Sequence, residues 1–146
     1  MKPVTVPALD LDAAMLEKYG QQVSDRGQME RSIVAHLIDH LDRRGFVLSS
    51  VWDGEELSRV ADMKAAMELV FNLDEVSVRF VPKGMKPGPR FVGGNRYAKN
   101  EHGVFLVLGN GRDIVSDWNF NSDDADGFNA AMDAFDVDAI VGMEEA

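Results

Sequence analysis

The chain has no cysteine among its 146 residues. That excludes disulfides, thiolate metal sites and cysteine nucleophiles. Aromatic residues are sparse at 8%, with 2 tryptophans and 2 tyrosines. Long apolar runs are missing too. The longest, Val104 to Leu108, is strand-sized, against the ~20 residues that span a bilayer. Residues 1–7 hold no apolar stretch of the kind a secretory signal needs. The expectation is a cytoplasmic protein with no membrane partner. The most uneven shortage is of basic charge. Residues 113–146 contain no lysine or arginine, but ten acids: Asp113, Asp117, Asp123, Asp124, Asp126, Asp133, Asp136, Asp138, Glu144 and Glu145.

What is present suits a globular protein. Hydrophobic residues make up 45% and charged residues 27%, a balance that excludes a disordered chain. The length fits a single domain over residues 1–146, which buries roughly two-thirds of its unfolded surface. The formal net charge is -10. Residues 1–112 hold 15 acids and 15 basic side chains, so the whole excess lies in the final 34 residues. The stretch 82–100, rich in proline and glycine, has the opposite bias. It carries Lys83, Lys86, Arg90, Arg96 and Lys99 and no acid. An acidic total argues against a whole-surface nucleic-acid binder, but not against this loop.

Periodicity outlines the elements. Asp10 or Asp12 caps a short helix that stops near Gly20. A second helix runs from about Gln28 to Arg44, with Ile33, Val34, Leu37, Ile38 and Leu41 as one stripe and Gly45 as its stop. Phe46 to Trp52 reads as a strand ending at an Asp53-Gly54 turn. A third helix covers about Asp62 to Asn72. Glu75 to Val81 alternates, with Val76, Val78 and Phe80 on one face and Ser77 and Arg79 on the other. Gly103 to Leu108 is a buried strand. Asn110-Gly111 signals a tight hairpin whose central residues need positive φ. Ile114 to Trp118 returns antiparallel. Ser122 or Asp123 caps a last helix with Phe128, Ala131, Met132 and Phe135 on its core face, and Val137 to Val141 packs on or extends it. The order implies an α+β domain of two layers, an antiparallel sheet of about four strands with helices packed on one face.

Several residue sets resemble sites. Ser122, Asp124, Asp126 and Asp133 approach a calcium-loop spacing around Gly127. However, a serine opens the span and an Asp stands where a bidentate Glu belongs. An N-cap followed by acids in the first turn explains the same residues. His36 and His40 stand four apart, as metal pairs do. No carboxylate completes an HExxH pattern, and the apolar stripe turns His36 to solvent and His40 to the boundary. Gly109-Asn110-Gly111 lacks the third glycine, lysine and helix of a phosphate loop. Ser49, Ser50 and Ser116 sit in no nucleophile motif. Asp113 and Asp117 share a face if both lie on one strand. Neither a metal nor a cofactor is expected.

The run Gly103-Val104-Phe105-Leu106-Val107-Leu108-Gly109-Asn110-Gly111-Arg112-Asp113-Ile114-Val115-Ser116-Asp117-Trp118 resembles a strand, Gly-Asn turn and strand found in small uncharacterised accessory proteins of phages and plasmids. The resemblance covers about residues 61–120 and leaves out the loop at 82–100. It implies a mobile-element accessory protein and carries over no catalytic residue.

Three functions follow as expectations. The first is a non-enzymatic accessory protein that binds a host protein, such as a nucleic-acid-handling or defence complex. Its acidic segment at 113–146 would make the contact, through Asp117, Asp123, Asp124, Asp126 and Asp133. The second is a nucleic-acid-binding module that uses Lys83, Lys86, Arg90, Arg96, Tyr97 and Lys99, since cations mixed with aromatics hold phosphates and stack bases. The third is an enzyme with a carboxylate site at Asp113 and Asp117.

Overall fold

The computed structural model describes residues 13–85, 100–119 and 125–145, with side chains over 27–85, 100–118 and 125–142. Among them are four α-helices and five strands: α1 (Ala13–Arg43), β1 (Phe46–Trp52), β2 (Leu57–Arg59), α2 (Met63–Val70), β3 (Glu75–Pro82), β4 (His102–Val107), β5 (Val115–Asn119), α3 (Ala125–Asp133) and α4 (Val137–Glu145). The sheet is antiparallel throughout, in the order β2-β1-β3-β4-β5. The fold is α+β, as expected, with one strand more than the pattern predicts.

The two N-terminal helices expected from the sequence are one element. Gly20 and Gly27 lie inside α1. A helical glycine costs only about 1 kcal/mol relative to alanine, too little to break a helix held by its neighbours. The stop is where the pattern puts it. Gly45 has φ 91° and its amide bonds the Asp42 carbonyl, the left-handed residue that closes a helix C-terminus. Asp62 caps α2, its side chain accepting from the Ala65 amide at 2.8 Å.

β2 is the strand the pattern missed. It is only three residues long and pairs with the end of β1, Trp52 opposite Leu57. Asp53 forms the intervening turn: its Oδ1 accepts from the amides of Glu55 and Glu56 at 2.8 and 2.6 Å, and Gly54 takes φ 103°.

The alternation of β3 sorts the sheet into two faces. Phe46 and Val51 of β1, Val76, Val78 and Phe80 of β3, and Val104 and Leu106 of β4 join the core. So do α1 (Ile33, Leu37, Leu41), α2 (Ala66, Met67, Val70), α3 (Phe128, Met132) and α4 (Ile140, Val141). Phe128 packs edge-on to Phe46 at 5.3 Å and stacks on His102 at 4.4 Å. The other face carries polar residues that are not solvated. Ser50, Ser77 and Arg79 are all buried, as is Glu101, which accepts from Ser50 Oγ at 3.5 Å.

The β4–β5 hairpin is present, but its turn is not the two-residue type. Gly109 and Gly111 have φ 94° and 60°, while Asn110 has φ -91°. A 3-10 turn over Gly111–Asp113 follows. The reason is a third partner. The Glu30 carboxylate of α1 accepts from the Gly109 amide at 2.8 Å and from the Gly111 amide at 2.7 Å. The glycine loop is thus an anion cradle filled by the protein's own buried carboxylate.

Candidate functional site

The described acids of the C-terminal segment do not form one patch. They divide by element. Asp133 ends α3, Asp136 caps α4 by accepting from the Ala139 amide at 3.2 Å, and Asp138 lies in the first turn of α4. Asp113, on the 3-10 turn before β5, completes the set. All four line one groove of about 640 Å³, with half-buried Phe135 and Val137 between them. Arg112 is the one cation among its described lining residues. Its Nη1 donates to Asp138 Oδ1 at 3.1 Å, both side chains being open to solvent at 51% and 84%. An exposed pair of this kind is worth little and opens readily to another partner.

Of the described acids expected to contact a partner, Asp133 is the one in this groove. Asp126 is exposed at the opposite end of α3. Asp117 lies on β5 opposite Phe105, on the second sheet face. Asp123 and Asp124 lie outside the described residues. Asp136 and Asp138 belong to the site without having been singled out, and Asp113, singled out only beside Asp117 as a carboxylate pair, belongs to it as well. For Asp136 a signal existed, since an aspartate just before the apolar Val137 and Ile140 reads as an N-cap.

Of the basic candidates, Lys83 turns to the C-terminal end of α1. Its Nζ is 3.5 Å from the Asp42 carbonyl oxygen and 3.9 Å from the Asp42 carboxylate. A cation there complements the helix dipole. Lys86, Arg90, Arg96, Tyr97 and Lys99 lie outside the described residues.

The remaining sets come apart. Asp113 and Asp117 are not on one strand: the first lies in a 3-10 turn, the second on β5. From Ala125 to Asp133 the calcium-like span is helix, not loop. His36 and His40 are both buried, against the expectation of solvent and boundary positions. The apolar face of α1 is wider than its stripe, because α3 and α4 also pack on it. His36 Nδ1 donates to the Ser32 carbonyl at 2.8 Å. His40 Nε2 donates to the Ala131 carbonyl of α3 at 2.7 Å. Burial pulls the His40 pKa below its ordinary 6.5; the bond to Ala131 opposes it, Arg44 adds to it, and Asp39 opposes it. Among the described residues no three His, Asp or Glu side chains gather as metal ligands would. No helix among them is long and apolar enough to cross a membrane.

Comparison with known proteins returns no match: no family model, no curated protein and no solved structure is similar to this chain.

Proposed function

We propose that this protein is a non-enzymatic binding protein that engages a basic surface of a host protein through its acidic C-terminal groove. One observation carries the reading. Asp113, Asp133, Asp136 and Asp138 face one groove whose described lining holds one guanidinium, that of solvent-exposed Arg112. Carboxylates spaced around an apolar strip complement a partner surface that would otherwise take phosphates, such as that of a nucleic-acid-handling or defence complex. A mobile-element origin belongs to the same proposal and rests on the run from Gly103 to Trp118.

The test is affinity capture from host lysate by the full chain, with and without nuclease. Asp136 also caps α4, so the informative variant is Asp133→Asn with Asp138→Asn. The unmodified protein should retain its partner after nuclease treatment. The double variant should lose it, and so should the unmodified protein at about 0.5 M salt, where exposed charges are screened. Capture that survives in the double variant would sink the proposal. Capture abolished by nuclease would favour nucleic acid held by the 82–100 loop.

A further inference from the structure

A second concavity lies on the other sheet face, away from the acidic groove. Strand pairing sets Trp52, Ser77, Phe105 and Asp117 in one row across β1, β3, β4 and β5. Strands in a sheet are about 4.8 Å apart. The two aromatic residues therefore stand about 10 Å apart, two strand spacings, with only a serine between them. The hollow measures about 420 Å³ and is walled by Trp52 and Phe105. That is within the range of sites that hold small ligands or single side chains. Asp53, Glu75 and Asp117 are in its lining, and among the described lining residues there is no lysine or arginine. Phe105 is one of the two large apolar residues exposed among the described side chains, at 36%.

An aromatic slot with a carboxylate rim selects for a flat organic cation. We infer that the hollow binds the guanidinium of an arginine side chain carried by a partner polypeptide. The negative face of each ring attracts a cation, and guanidinium, being planar, stacks where ammonium cannot. The protein uses the same pairing internally: Arg79 lies over Trp52 at 5.4 Å and Arg31 over Phe71 at 4.9 Å. Arg79 stands in the next row of this face, one positive charge against three carboxylates. No ion pair among the described residues engages Asp53, Glu75 or Asp117. A polypeptide source follows from position. Asp117 and Ser116 are on β5, the edge of the sheet, so an extended chain can lie along the rim and reach inward with one side chain. The hollow shares no lining residue with the acidic groove, so this inference stands apart from the proposal above.

The test is an amide-resolved NMR titration of the full chain with an acetylated Gly-Gly-Arg-Gly-Gly peptide amide. Its citrulline and lysine counterparts and free butylguanidinium serve as comparisons. The arginine peptide should give saturable shifts centred on residues 52–54, 75–77, 105–107 and 116–117. Asp117→Asn and Phe105→Ala should each weaken binding about tenfold, the loss of one carboxylate or one cation–π wall. The amide spectrum of each variant reports whether it is folded. Absent or non-saturating shifts would overturn the inference. So would equal binding of the citrulline peptide, tighter binding of the lysine peptide, or binding of butylguanidinium without binding of the arginine peptide.

Discussion

Glu30 shows how one side chain sets a neighbouring backbone. Its buried carboxylate accepts from two glycine amides across the gap between α1 and the β4–β5 turn. Hydrogen bonds to a charged group contribute about 1.5–3 kcal/mol, and stranded buried donors add their own cost. Glu30→Ala should therefore lower unfolding free energy by about 3 kcal/mol in a urea titration. A loss below about 1 kcal/mol would mean that water replaces the carboxylate. His40 makes a pH-dependent contribution. Its pKa is lowered in the folded protein by burial. Below pH 6.5 the unfolded chain therefore binds a proton that the folded one refuses. Stability is complete above 6.5 and falls as pH drops through 6.5 towards the folded value. His40→Gln should flatten the change in Tm between about pH 7.5 and 5.5. A variant with an unchanged slope would show that His40 is not the titrating group.

At the scale of elements, α3 joins core to site. Its inner side carries Phe128, fully buried and in ring contact with Phe46, Phe80 and His102. Phe128→Ala should cost about 3–5 kcal/mol, because the cavity would be closed in by three rings from separate strands. Chemical denaturation measures this directly. The other end of the same helix carries Asp133 at its last position. An acid there opposes the helix dipole and stands in a groove with three more aspartates. Asp133→Asn should raise stability by about 0.5 kcal/mol. The same substitution should weaken partner capture, as expected where a site is kept at some expense of stability. A destabilised Asp133→Asn protein would argue that this aspartate has a structural role instead.

Across the whole molecule, the net charge of -10 is not a uniform coat. Among the described C-terminal acids, Asp113, Asp133, Asp136 and Asp138 meet in the groove, while Asp117 faces a different hollow on the opposite side of the sheet. The two concavities differ in character, one charged and one aromatic-walled.

The local pattern alone determined much of this. The class of fold, β1, β3, the α2 cap at Asp62, the α1 stop at Gly45 and the core face of α3 all follow from periods of two or 3.6 and from capping chemistry, which act within a few residues. Tertiary structure decided the rest. The three-residue β2 is too short to show a period and exists through its pairing with β1. The hairpin turn departs from its local preference because Glu30 arrives from 79 residues earlier in the chain. Alternation places polar Ser77 and Arg79 on the face opposite the core but does not show that they are buried. The groove gathers Asp113 with Asp133, Asp136 and Asp138 across a helical corner, and the hollow arises from a row of residues on four strands. Such neighbours are set by long-range pairing and packing, and spacing along the chain does not encode them.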